Sequence, residues 1–195
     1  MVLLSRDEIL ELFQRTGVLM KGHFLLSSGL HSPFYLQCAR IQQYPQDFSR
    51  LCAALARPFR DSSIEVVVGP AIGAIILSYE MARQLEARCM FAEREEGKMV
   101  LRRGFFLKPG ERVLVVEDVV TTGGSAREVV ELVKREGALP IGVAALVDRS
   151  EGKASLGTSL KSLIQLSLPA YHPQDCPLCR QGVPLVKPGS KVFTY

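Results

Sequence analysis

The chain has 195 residues, 47% hydrophobic and 23% charged, enough to bury a sizeable core within one compact domain. Its formal net charge of +4 is scattered among acids rather than gathered into basic blocks, which favours a small anionic ligand over a nucleic-acid groove. The longest nearly apolar run, residues 66–77, contains Gly and Pro and falls short of the roughly 18 residues a spanning helix needs, and acids arrive too early for a signal peptide. A cytoplasmic protein with no membrane or nucleic-acid partner is expected.

Residues 6–17 have helical spacing, with Ile9, Leu12 and Phe13 on one side and Gly17 as the stop. Residues 22–38 read as an extended segment, a Ser-Gly turn and a second extended segment. Residues 47–59 read as a helix capped by Asp47, with Phe48, Leu51, Cys52 and Leu55 facing inward. A buried strand over 64–68 leads into the turn Gly69, Pro70, Ala71, Ile72 and Gly73, then a helix to about Ala87. Residues 91–113 are charged and glycine-bearing in the middle, which suits a solvated loop, with 99–107 as a hairpin or flexible arm. Further strands are expected near 89–92, 113–116, 141–147 and 163–168. This alternation predicts an α/β fold with a mainly parallel central sheet flanked by helices, and ligands outside the carboxyl ends of the strands. No repeat or low-complexity linker interrupts it, so 1–195 is expected to be a single domain.

The most informative stretch is VLVVEDVVTTGGSA, residues 113–126. Its apolar start is short and β-branched, as in a parallel strand covered on both faces. From Ser125 the sequence turns helical; Ser125 and Glu128 have capping-box spacing, Val129, Leu132 and Val133 form an apolar stripe, and Gly137 is the stop. The loop therefore meets a helix N-terminus. There Gly123 and Gly124 allow close backbone approach, and Thr121, Thr122 and Ser125 supply hydroxyl donors, so a phosphate is the natural guest. Glu117 and Asp118 suit ribose hydroxyls, or a metal held through water, which together make the ligand a ribose 5-phosphate. The GxxxxGK[ST] and GxGxxG patterns are absent. The turn from Gly69 to Gly73 also leaves a strand and enters a helix, giving a second backbone anion cradle.

Five cysteines, at 38, 52, 89, 176 and 179, make an odd count with no disulfide framework. Cys38, Cys52 and Cys89 read as reduced core residues. Cys176 and Cys179 form CPLC, with His172 four residues upstream: half a zinc site, a redox pair, or a solvent-facing turn in a Pro-rich tail over 169–195.

The segment containing Glu117, Asp118, Val119, Val120, Thr121, Thr122, Gly123, Gly124 and Ser125 resembles the phosphoribosyl pyrophosphate (PRPP) signature of the type I phosphoribosyltransferases. The resemblance implies that family's fold with a small N-terminal hood, over about 18–40. It also implies that Gly69, Pro70, Ala71, Ile72 and Gly73 hold pyrophosphate, and that a mobile loop over about 94–105 closes over it. In that loop Lys98 matches the catalytic lysine, acting with Asp118, and Arg94 is a supporting anion contact; Arg102 and Arg103 are weaker candidates. Residues 23–37 resemble the substrate-covering hood of the orotate phosphoribosyltransferases. Arg149 matches the residue that pairs the orotate carboxylate there, which a planar guanidinium grips with two hydrogen bonds. Thr121, Ser28, Phe34 and Tyr35 are further orotate contacts by this resemblance. Orotate and PRPP are thus the expected substrates and a homodimer the expected assembly. Mg²⁺ is the expected cofactor, held through PRPP and water near Glu117 and Asp118 with no direct protein ligand assigned. The pattern departs from many family members at Ser27 and Gly73, where lysines stand, at Glu95, where a basic residue often sits, and in a short loop lacking a histidine.

Overall fold

The computed structural model describes residues 4–26 and 28–188; Ser27 lies outside them. Helix α1 (Arg6–Arg15) buries Ile9, Leu12 and Phe13 and ends where Gly17 takes φ 70°. It opens on a capping box that apolar periodicity does not reveal: Ser5 Oγ accepts the Glu8 N–H at 3.2 Å, and Glu8 Oε2 accepts the Ser5 N–H at 2.7 Å. Strands β1 (Leu19–Leu25) and β2 (His31–Leu36) then pair antiparallel as a two-stranded sheet of their own, the hood hairpin.

Helix α2 (Pro45–Ala56) starts two residues before Asp47, because Pro45 is preset for a first turn. Asp47 is therefore not its cap. Its carboxylate accepts from Arg15 at 2.7 Å and lies 3.7 Å from Arg50. Phe48, Leu51, Cys52 and Leu55 face inward as their spacing predicts, and a 3-10 turn, Arg57–Ser62, replaces the expected last helical turn, since Pro58 has no N–H to continue the ladder.

The main sheet contains β3 (Val66–Pro70), β4 (Arg88–Glu95), β5 (Lys98–Leu101), β6 (Arg112–Val120), β7 (Leu139–Asp148) and β8 (Leu160–Gln165), in the order β5-β4-β3-β6-β7-β8. Only the β4/β5 pair is antiparallel. Alternation along the strands splits the core in two. Val67, Leu114, Val116, Ala144 and Leu146 face α1, α2 and α3 (Ile75–Leu85), whereas Val66, Val68, Val113, Val115 and Val143 face α4 (Gly124–Arg135). Each fully buried Leu or Val contributes about 1.5–3 kcal/mol relative to exposure.

From β3 the chain crosses through α3 to β4, and from β6 through α4 to β7 on the other side. Right-handed crossovers running in opposite directions put α3 and α4 on opposite faces. Strand order thus reverses between β3 and β6, and the crevice outside their carboxyl ends is where such sheets bind ligands.

Two strands run further than their apolar runs suggest. β6 continues through Glu117–Val120 because Glu117, Val119 and Val120 pair with Ala145, Val147 and Asp148. β3 takes in Gly69 and Pro70, opposite Phe91 and Ala92 of β4. Residues 99–107 do not form the hairpin; it is β4 with β5, turned by Glu96 at φ 48° and Gly97 at φ 82°, the positive angles a tight right-twisted hairpin requires.

Candidate active site

The ends of β6 and β3 build the crevice. Glu117 is 9% exposed and lines a cleft of about 230 Å³ shared with Thr121, Thr122, Gly124, Ser125 and Glu128. Burial first, and then the charge of Asp118, push its carboxyl up to about 8. Asp118 is half-buried; its Oδ1 accepts the Val119 N–H at 2.7 Å.

Beyond them the chain turns sharply. Helix α4 starts at Gly124, with Gly123 as its N-cap at φ 79° and no side-chain cap. The capping box expected of Ser125 and Glu128 is therefore not formed: the helix begins one residue earlier, Ser125 is exposed, and Glu128 Oε2 lies 2.8 Å from Arg94 Nη2. A helix start without a side-chain cap leaves N–H groups for an anion. Glycine at 123 is favoured on two counts, for besides its left-handed φ a Cβ there would sit 2.4 Å from Leu156 Cδ2.

In the second turn the residues divide. Gly69 and Pro70 are buried, and a Cβ on Gly69 would meet Ser78 Oγ at 2.5 Å and Ala74 Cβ at 2.7 Å, so Gly69 serves the packing of α3 on β3. The Ala71 N–H is taken by Ala92 O at 2.7 Å, and the Ala71–Ile72 peptide is cis. Ile72 and Gly73 are exposed, and no described backbone carbonyl takes their N–H groups. A Cβ on Gly73 would lie 3.2 Å from Asp118 Oδ2, so Asp118 stands between the two turns.

Arg149 closes the third side. Its N–H donates to Val120 O at 2.7 Å, which ties the end of β7 to the end of β6. The turn is shaped by buried Asp148, whose Oδ1 accepts the Ser150 N–H at 2.7 Å and the Ser150 hydroxyl at 2.6 Å. The Arg149 guanidinium is half-buried, burial lowers its pKa, and its Nε is buried with no hydrogen-bond partner among the described residues. Such an orphaned donor is open to an acceptor supplied by a ligand or by water. Cys38, after the hood, reports the proximity of both charges: burial pushes its thiol well up, Asp118 adds to the rise and Arg149 opposes it. Gln42, which sequence reasoning passed over, donates from Nε2 to Gly73 O at 3.2 Å and ties this segment to the second turn.

The charged hairpin lies beside α4. Arg94 donates to Gly97 O at 2.6 Å besides meeting Glu128, so it is placed near the β6–α4 cleft rather than at the Ile72–Gly73 turn. Arg103 pairs with Glu93 at 2.8 Å and Arg102 with Glu95 at 3.4 Å. Lys98 is exposed at the start of β5 and makes no salt bridge among the described residues. In the hood, Ser28 is exposed at the turn, Phe34 is half-buried, and the half-buried Tyr35 ring packs 5.7 Å from that of Phe24. A larger open groove of about 700 Å³ runs along β8, but neither anion turn lines it.

A family model described as phosphoribosyl transferase domain matches residues 40–167. An orotate phosphoribosyltransferase of Caldicellulosiruptor bescii is 54% identical over 188 residues, covering 96% of this chain and 99% of that protein. One of Thermotoga maritima is 55% identical, covering 94% and 98%. The crystal structure of orotate phosphoribosyltransferase from Aeropyrum pernix superposes with a TM-score of 0.66 at 26% identity, over 80% of this chain and 92% of that one. The chain belongs to the phosphoribosyltransferase family, among its orotate phosphoribosyltransferases.

Proposed function

We propose that the protein transfers the phosphoribosyl group of PRPP to orotate, giving orotidine 5′-monophosphate and pyrophosphate in pyrimidine synthesis. The observation that carries this reading is the convergence of two anion-type turns on Asp118, with the orphaned Arg149 Nε beside the same strand end. In this reading Thr121–Ser125 anchor the 5′-phosphate, Asp118 and Glu117 hold the ribose hydroxyls, the Ile72–Gly73 turn receives pyrophosphate, and Arg149 grips the orotate carboxylate beneath the hood. The C1′–oxygen bond to pyrophosphate breaks, the pair leaving with pyrophosphate, and a C1′–nitrogen bond forms from the orotate anion. No covalent enzyme intermediate is needed. Catalysis is then mostly positioning and charge stabilisation. Protein residues near the ribose fit Mg²⁺ held chiefly by substrate and water: Glu117 is buried, and Asp118 Oδ1 already accepts the Val119 N–H, which leaves few free carboxylate oxygens for a direct cage. When bound, the ion would neutralise pyrophosphate oxygens.

The test is turnover with PRPP and Mg²⁺ on orotate, uracil, adenine and hypoxanthine in parallel. Consumption of orotate alone is expected; turnover of another base instead would discard the Arg149 assignment.

The state of Glu117 makes a further expectation. Its carboxyl, ordinarily at 4.5, is held near 8 in the folded protein, so folding takes up a proton between those values and stability falls as pH rises across them. Apo protein melted between about pH 5 and about pH 9 is expected to show this decline, and Glu117→Gln to flatten it. At the alkaline end the variant should melt about 3 °C higher or more, since about 1 kcal/mol is worth ~2–4 °C in a domain of this size. An equal slope in both proteins would contradict the buried, protonated carboxyl.

We assign Lys98 to the departing pyrophosphate. Lys98→Ala is expected to lower kcat about 100-fold, the usual loss on removing one donor to developing charge, with little change in the KM for PRPP. Full activity in that variant would remove the assignment. A homodimer is the assembly we propose, supported by the outward apolar residues Ile72 (86% exposed), Ile76 (48%) and Tyr79 (63%) beside the second turn. If Lys98 reaches a partner's site, mixing Lys98→Ala with Asp118→Asn chains restores part of the activity that each lacks. The five free cysteines suit a reducing, cytoplasmic setting, and no helix among the described residues is long and apolar enough to cross a membrane.

A further inference from the structure

Outside the active site, four metal-ligand side chains converge between the hood and the C-terminal tail. We propose that His23, His31, Cys176 and Cys179 form a closed structural site for Zn²⁺ that fastens the tail to the hood. Their ligand atoms all lie within 4.8 Å of one another. His23 Nε2 is 3.0 Å from His31 Nδ1, 3.4 Å from Cys176 Sγ and 3.7 Å from Cys179 Sγ, and Cys179 Sγ is 3.3 Å from His31 Nδ1. A tetrahedral zinc bound at about 2.0–2.1 Å to nitrogen and about 2.3 Å to sulfur separates its ligand atoms by about 3.3–3.8 Å, so these spacings approximate the edges of such a tetrahedron. His172, the histidine nearest to CPLC in sequence, is not in the cluster; both histidines come from the hood hairpin, β1 and β2.

Proton placement points the same way. His23 Nδ1 lies 2.8 Å from Val183 O, a carbonyl that can only accept, so Nδ1 carries a proton and, in the neutral ring, Nε2 presents a lone pair to the cluster. That outward hydrogen bond is the one a metal-bound histidine makes. Three neighbours surround this one lone pair, and a hydrogen bond satisfies only one of them, whereas a cation satisfies all four donor atoms at once. Two thiolates balance the charge of the ion, and four protein ligands leave no position for substrate, which marks the site as structural.

The tail has the need. Between 167 and 188, Cys176 is the only buried residue, so the segment has no apolar core of its own. Backbone bonds bring it to both histidines: Val186 N–H donates to His23 O at 2.8 Å, and His31 and Tyr171 exchange bonds at 2.9 and 2.8 Å. An ion there supplies the binding energy that packing does not.

The test is elemental analysis of the untagged full-length protein grown with zinc, next to a Cys176→Ser/Cys179→Ser variant. About one zinc per wild-type chain and almost none in the variant is expected, as four ligands from one chain require. Cobalt exchanged into the wild type should give the thiolate charge-transfer and tetrahedral visible bands. Should the variant fail to fold, a zinc-selective chelator with excess Mg²⁺ decides on the wild type: expected are zinc release, a lower Tm and tryptic cleavage within the tail. Metal-free protein with both thiols immediately reactive, or with a Cys176–Cys179 disulfide in its mass spectrum, would overturn the proposal.

Discussion

Arg149→Ala is expected to raise the KM for orotate about 100-fold while leaving the KM for PRPP within about threefold. The expectation rests on the unpartnered Nε: a buried donor that no described residue satisfies is available to a carboxylate. Losing one partner of a buried charge pair costs about 2–5 kcal/mol, and the half-buried guanidinium of Arg149 belongs in the lower part of that range. A second readout separates binding from structure. If Arg149 held the fold together, its removal would lower Tm. Because the free protein instead bears a half-buried guanidinium whose Nε is unsatisfied among the described residues, Tm is expected to stay the same or rise. A fall in Tm with an unchanged orotate KM would assign Arg149 to the scaffold. Lysine at this position should recover little, since a point ammonium cannot make the two parallel bonds of a guanidinium.

The second large effect is expected from Gly123→Ala, a single added methyl. That methyl would lie 2.4 Å from Leu156 Cδ2, on a residue held at φ 79°. Left-handed backbone costs a residue other than glycine about 1–2 kcal/mol before the clash is counted. Leu156 is 2% exposed and has little room to yield, so the loop is expected to shift, carrying the first N–H groups of α4 away from the proposed phosphate position. A displacement of about 1 Å is enough to lower kcat/KM for PRPP about 100-fold. Gly124→Ala is the control for the unliganded fold, because its Cβ would meet nothing closer than Thr122 Oγ1 at 3.8 Å. A clear drop in Tm for the first variant and none for the second is expected; equal Tm values would mean that the loop accommodates a side chain at 123.

The strand–loop–helix from β6 to α4, to which we assign the phosphate, is legible because its parts are contiguous: a β-branched strand, two acids, hydroxyls and glycines follow one another, and each has a local meaning. Its details are not. Ser125 and Glu128 have capping-box spacing, yet whether the box forms depends on Gly123 entering the left-handed region against Leu156, a contact made in space. The length of β6 depended on β7 offering Ala145, Val147 and Asp148 as ladder partners. Gly69 looks in sequence like part of an anion cradle, but in space it is the seat of Ser78 and Ala74. Arg94 reads in sequence as a supporting anion contact, and its pairing with Glu128 and Gly97 could not be read from spacing alone. Most remote was the histidine–cysteine cluster, whose members stand 148 and 153 positions apart along the chain, so that CPLC displays only half of its ligands.

In the proposed reading one crevice, between the ends of β3 and β6 and closed by Arg149, holds the product from its phosphate to its carboxylate. The decisive experiment is a crystal structure with orotidine 5′-monophosphate. The predicted result is the phosphate within hydrogen-bond distance of the Thr122–Ser125 backbone and the orotate carboxylate on the Arg149 guanidinium. A nucleotide bound with its phosphate at another loop, or with its carboxylate turned away from Arg149, would contradict it.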